Sequence, residues 1–136
     1  GAASATGDQG AASATGDQGA ASATGDRGAA SATGNRGAAS ATGDRGAASA
    51  TGDQGAASAT GYRGAASATG KDSIALAAGY GCKAKGAIGC WIVLAERREW
   101  DGDTYPIKEV KAFEVDGEKV KADTWYMLVN GELKEA

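Results

Sequence analysis

The sequence predicts an all-β protein, a parallel β-solenoid (β-roll) of nine-residue half-coils capped by a small C-terminal antiparallel β-meander. Three observations predict it. Residues 1–72 are eight copies of Gly-Ala-Ala-Ser-Ala-Thr-Gly-Asp-Gln, and the first seven positions of the unit never vary. A fixed short period of this kind is how stacked repeat architectures look in sequence. Beyond the array, three turn dipeptides, Asp101-Gly102, Asp116-Gly117 and Asn130-Gly131, fall at spacings suited to short antiparallel strands.

The repeat is neither helix nor linker. A glycine pair in every unit would cost a helix about 1 kcal/mol per glycine relative to alanine. A flexible linker shares the composition but does not need an invariant register. What remains is a five-residue strand, Ala-Ala-Ser-Ala-Thr, followed by a Gly-Asp-x-Gly corner. There Gly supplies positive φ and Asp bonds its own backbone. Two units close one flattened coil, with successive coils ~4.8 Å apart. Strand alternation puts the alanines at positions three and five inside and positions two, four and six outside. Variation is confined to positions eight and nine, the wet corner, where Arg27, Arg45 and Arg63 stack beside Asp26 and Asp44.

Ser73–Gly81 reads as a ninth, degenerate unit and residues 82–90 as a tenth, so the solenoid is expected over residues 1–90 and the cap over 91–136. Ile74 and Leu76 fall on the outer face, which the C-terminal segment is expected to cover; the alternative inverts the face assignment and has Ile74 and Leu76 fill a widening interior. Seven of the eight aromatics follow the array. The expected cap core is Ile74, Leu76, Trp91, Trp100, Tyr105, Phe113, Trp125 and Tyr126, and this core reading is favoured over an aromatic ligand patch.

Composition excludes several kinds of chemistry. With no histidine, imidazole catalysis and the commonest zinc ligand are absent. A net charge of −3 gives no footprint for nucleic acid. No apolar run approaches the ~18 residues that cross a bilayer, so no membrane insertion is expected. The chain begins at Gly1 in mid-array without Met, which suggests a processed or partial chain. One carboxylate per corner does not supply the six to eight oxygens calcium takes, so neither metal nor cofactor is expected. Cys82 and Cys90 bracket one strand and are too far apart to bridge, which leaves free, partly buried thiols or a disulfide between chains. Ser73 with Lys83 or Lys85 offers only adjacency. Glu96, Glu99, Asp101 and Asp103 read as a solvated turn. No catalytic residues are expected.

Ser73-Ile-Ala-Leu with its Ala-x-Gly punctuation resembles the Ser-Val-Ala-Ile-Gly head repeats of YadA-like trimeric autotransporter adhesins, over at most residues 1–90. That resemblance implies a parallel β-roll. The unit here is nine residues, shorter than in that family, and the coiled-coil stalk and membrane-anchor barrel are missing. Over the whole chain, the array followed by Gly-Cys-Trp-Ile-Val-Leu-Ala-Glu-Arg, Trp-Asp-Gly and Tyr-Pro-Ile resembles uncharacterised bacterial and phage-borne nonapeptide repeat proteins. It implies no activity.

The functional expectation is a structural, non-catalytic repeat protein, a rigid spacer or a fibre or filament segment with adhesin-like display, at a cell surface, on a virion or otherwise extracellular. An unpaired edge at the first coil favours self-association into a homo-oligomer or filament. A small-molecule ligand is not expected. The alternative is an ice-binding protein that uses the flat outer face. The surface that would serve assembly or ice binding is Ser13, Thr15, Ser22, Thr24, Ser31, Thr33, Ser40, Thr42, Ser49, Thr51, Ser58 and Thr60.

Overall fold

The computed structural model describes residues 2–7 and 10–136. Each regular unit contributes one Ala-Ala-Ser-Ala-Thr strand: β1 (Ala2–Thr6), β2 (Ala11–Thr15), β3 (Ala20–Thr24), β4 (Ala29–Thr33), β5 (Ala38–Thr42), β6 (Ala47–Thr51), β7 (Ala56–Thr60) and β8 (Ala65–Thr69). The degenerate units give β9 (Ile74–Ala77) and β10 (Lys83–Gly86), and the tail gives β11 (Trp91–Arg97), β12 (Ile107–Glu114), β13 (Tyr126–Val129) and β14 (Glu132–Glu135). Odd and even units part into two seven-stranded sheets, ordered β1-β3-β5-β7-β9-β11-β12 and β14-β13-β10-β8-β6-β4-β2. Partners in the array are 18 residues apart, as in Thr24↔Thr42 and Thr33↔Thr51, so two units make one coil and the solenoid has about five.

The alanines at positions three and five form the interior; Ala23, Ala32, Ala50 and Ala59 are wholly buried. So thin a core leaves position one tight: a Cβ on Gly28 would lie 3.2 Å from the Ala23 Cβ, so that neighbour would have to give by a few tenths of an ångström. Burial of methyl groups adds little per residue, and most of the order comes from ladders that run through the corners as well as the strands. Gly34 N donates to Thr51 O at 2.9 Å and Arg36 N to Asp53 O at 2.8 Å, each to the next coil.

The corner differs from expectation in two respects. The position-seven glycines do take positive φ, from 109 to 126° between Gly16 and Gly70. Position nine is left-handed too, although it holds Gln, Arg or Asp, with φ of 58–63° from Gln18 to Asp72. This costs a non-glycine residue about 1–2 kcal/mol, and from Gln18 to Arg63 the position-nine N–H bond to the next coil offsets it. Nor does the corner carboxylate bond its own turn at Asp53, which accepts from Lys71 N in the next coil. The turn is closed by backbone, as in Gly28 N to Gly25 O at 3.3 Å.

Toward the C-terminal end the interior widens and position one takes side chains. Ser73 is fully buried; its hydroxyl donates to Gly52 O at 2.9 Å and accepts from Gly55 N at 3.1 Å, bridging the turn of the preceding coil. Cys82 Sγ and Cys90 Sγ donate to Gly61 O and Gly70 O, the equivalent position-seven carbonyls. The tenth unit is one residue short, so Cys90 begins the next unit and Trp91 pairs with Ile74. Beyond them Ile92 and Leu94 replace the interior alanines.

The tail is antiparallel, but its strands are divided between the two sheets. β11 lies parallel to β9 and antiparallel to β12, and so belongs to both solenoid and tail. β13 joins β10 antiparallel, and β14 follows it. Of the three turn dipeptides only Asn130-Gly131 makes a two-residue hairpin, with φ of 52° and 79°. Asp101-Gly102 sits inside a longer β11–β12 loop, from which Tyr105 stacks on Tyr80. Asp116-Gly117 opens a crossover from one sheet to the other; Asp116 Oδ1 accepts from Glu118 N and Val120 N. The crossover buries Val115 and Val120 over the end of the core.

The expected cap core is therefore corrected. Tyr126 is buried and Phe113 packs against the core, whereas Ile74, Trp91 and Trp100 are 47%, 44% and 56% exposed and Leu76, Tyr105 and Trp125 are half-buried. The true core there is Ile92, Leu94, Val115, Val120 and Leu128 with Tyr126. The tail does not cover the outer face at Ile74 and Leu76; β12 extends that sheet sideways instead. Alternation sets this outcome, since Ile74, Leu76, Trp91 and Val93 hold the outward parity of their strands.

Candidate functional site: faces, corners and an aromatic cavity

Three features can meet other molecules: the flat hydroxyl faces, the apolar end of one face, and a corner lined with aromatic rings. The expected Ser and Thr residues all lie on outer faces, none buried. Those on β3, β5 and β7 (Ser22, Thr24, Ser40, Thr42, Ser58 and Thr60) share one sheet, and those on β2, β4 and β6 (Ser13, Thr15, Ser31, Thr33, Ser49 and Thr51) share the other. Within each sheet they stand in register, so serines and threonines form straight rows along the axis.

Of the carboxylates expected at a solvated turn, Glu96, Glu99 and Asp101 have separate tasks. Glu96, on β11, receives Asn130 N at 2.6 Å and Gly131 N at 2.9 Å and so latches the β13–β14 hairpin of the other sheet. Those two N–H donors, with Lys108 3.8 Å away, hold the Glu96 carboxyl below its ordinary range. Asp101 Oδ1 accepts from Asp103 N and Thr104 N, which shapes the loop and lowers its pKa. Glu99 accepts from Tyr80 Oη at 2.7 Å, and that bond raises the phenol's pKa. Among the described residues no group of three or more His, Cys, Asp and Glu is placed to hold a metal ion.

The nucleophile candidates are also engaged. The Ser73 hydroxyl is committed to backbone. Lys83 and Lys85 lie on the other sheet, 4.7 and 4.8 Å from the centre of the Trp125 ring, and Lys85 pairs with Asp123 at 3.0 Å. Both cysteines are free and buried, at 3% and 0% exposure. Burial pushes the Cys82 thiol up, away from the reactive thiolate.

The feature that sequence reasoning missed stands at one corner. Tyr62 and Tyr80 occupy position eight in units seven and nine, 18 residues apart, continuing the column of Asp26 and Asp44. Their rings stack at 5.5 Å and 12°. Tyr105, from the β11–β12 loop, adds to the stack 4.4 Å from Tyr80, and Trp100 meets Tyr105 edge-on at 5.2 Å. Arg97 fixes the loop by donating to Ala78 O at 2.8 Å and Tyr105 O at 3.0 Å. Between these rings and the strand ends lies a cavity of about 300 Å³ that also touches Thr60 and Thr104. The 18-residue spacing of the two tyrosines was the signal available in the sequence.

No protein family, curated protein or solved structure matches the chain. The functional reading therefore rests on the geometry.

Proposed function

We propose that the protein is a non-catalytic structural rod, a spacer or fibre segment that self-associates through its flat faces. The observation that carries this reading is the coil-to-coil ladder, which keeps one strand register through the array and passes through the corners by the position-nine N–H groups from Gln18 to Arg63. Such a solenoid is a sum of neighbour interfaces, so its length is set by the number of units and its cross-section is not. Self-association is supported by the open face formed by β9, β11 and β12. There Ile74, Trp91 and Val110, at 47%, 44% and 52% exposure, stand with Leu76 and Val93 on one flat surface. Contiguous exposed apolar patches on soluble proteins mark contact surfaces. A cell-surface, virion-borne or otherwise extracellular setting suits such a rod.

Two measurements test it. Six inserted coils should lengthen the particle by about 29 Å at ~4.8 Å per coil, read by small-angle scattering; a length that does not grow refutes the rod. Light scattering with negative-stain microscopy over a concentration series should show a fixed oligomer or fibres, diminished by Trp91→Ser. A monodisperse monomer at every concentration refutes self-association.

The in-register Ser and Thr rows favour ice binding as a second reading, with Thr15, Thr33 and Thr51 exposed in one line. It predicts thermal hysteresis that Thr33→Tyr with Thr51→Tyr abolishes.

A further inference from the structure

We propose that the cavity at the tyrosine corner is a carbohydrate-binding site, a function beyond that of the rod. The array repeats one set of side chains at every coil, yet its single aromatic, Tyr62, stands where the β11–β12 loop docks. Packing explains part of the cluster: Tyr80 and Tyr105 stack face to face and are half-buried. It does not explain Trp100, which is 56% exposed and meets Tyr105 in a T-shaped contact rather than a stack. An exposed indole beside a cavity suits the C–H face of a pyranose, which is apolar, flat and too polar at its rim to enter a dry pocket.

The rest of the lining supplies that rim. The hydroxyls of Tyr62, Tyr105, Thr60 and Thr104 have no hydrogen-bond partner among the described residues, and all four side chains border the cavity. Arg97 uses Nε and Nη1 to hold the loop, and its remaining N–H donors are available to a sugar hydroxyl or a uronate carboxylate. At about 300 Å³ the cavity is at the small end of ligand pockets, the size for one sugar ring of a longer glycan. A few fixed polar groups around an aromatic wall are what such sites use to orient a ligand. Its position at the end of a stiff rod presents it outward without disturbing the coils.

The test is retention of the purified full chain on an array of immobilised neutral and uronic-acid-containing oligosaccharides. Each retained glycan is then titrated in solution by tryptophan fluorescence. Trp100→Ala should weaken binding at least about tenfold, a difference of 1.4 kcal/mol, while circular dichroism and thermal midpoint stay as in the wild type. Tyr62→Ala should weaken it as well. Preference for the acidic arm, lost in Arg97→Gln, would assign the guanidinium to a carboxylate; equal binding of both arms assigns it to hydroxyls. Retention of no glycan above the level of Trp100→Ala, or unchanged affinity in that variant, overturns the proposal.

Discussion

Substituting the position-seven glycine in mid-array, Gly43→Ala, tests the physical account of the corner. Two penalties act at once. The backbone there has φ of 112°, a region L residues rarely enter, worth about 1–2 kcal/mol. A Cβ would also run into the carbonyl of Gly25 in the preceding coil, with the Gly25 carbonyl carbon only 2.8 Å away, and what it meets is backbone rather than the end of a flexible side chain. Strained backbone of this sort costs a further ~1–3 kcal/mol, so the expected loss is roughly 2–5 kcal/mol. Two controls separate the terms. Gly16→Ala has nearly the same φ, 109°, and no atom within 4 Å of its new Cβ, so only the conformational penalty applies. Arg45→Gly, in the same turn as Gly43, relieves a left-handed φ of 58° and should be neutral or stabilising by under about 1 kcal/mol. Urea unfolding followed by circular dichroism measures all three. A Gly43→Ala loss below about 1 kcal/mol, or one no larger than that of Gly16→Ala, would refute close coil contact as the reason this glycine is invariant in the repeat.

Three further outcomes follow from the same geometry. Ser73→Ala removes the hydroxyl between Gly55 N and Gly52 O and should cost ~1–3 kcal/mol, whereas Ser73→Gly lets that turn close directly, as elsewhere in the array, and costs less; urea titration compares them. Glu96 has a lowered pKa in the folded protein, so its contribution is present above the unfolded carboxylate value near ~4.3 and is lost as pH falls through the lower folded value. Unfolding at pH 7 and pH 3 should therefore show a smaller acid loss for Glu96→Gln than for the wild type, and the Asn130 and Gly131 amide resonances should shift only in the wild type. Cys82 and Cys90, buried with the Cys82 pKa raised, should react with a thiol reagent only as the chain unfolds; fast labelling of the native protein would contradict their burial.

The array was legible because it is local. Alternation of Ala with Ser and Thr fixes the inner face, and the unit length fixes the coil, with no tertiary information needed. The tail was less legible because turn chemistry specifies a bend and says nothing of which sheet the next strand joins. Asp116-Gly117 bends the chain as its residues dictate, yet it leads to the opposite sheet because the end of the core, between Ile92 and Leu128, needs covering. The one-residue contraction in the tenth unit was hidden because Ala87-Ile88-Gly89 reads as a corner either way. The outward parity of Trp91 was legible: the alternation that buries Ala75 and Ala77 places Ile74, and with it Trp91, outside. Assigning these large residues to the core let hydrophobicity override parity, and parity governed. At the candidate site the column of Tyr62 and Tyr80 was available from the period, while the arrival of Tyr105 and Trp100 depends on a loop whose path no local pattern sets.

The two levels meet in where specificity can reside. Strand positions in the array are constrained on both sides: a larger interior residue meets the opposing alanines, and a side chain at position seven meets backbone. Only the outer faces and positions eight and nine can change without touching the ladder, and the outer faces are repeated unchanged at every coil. Distinct chemistry is thus left to the corners and to the end, where larger residues at position one and in the core mark the widening of the interior. The tyrosine corner lies where these two freedoms coincide, a variable corner position within reach of a loop from the tail. A rod built by repetition can hold one distinct site only where the repetition stops.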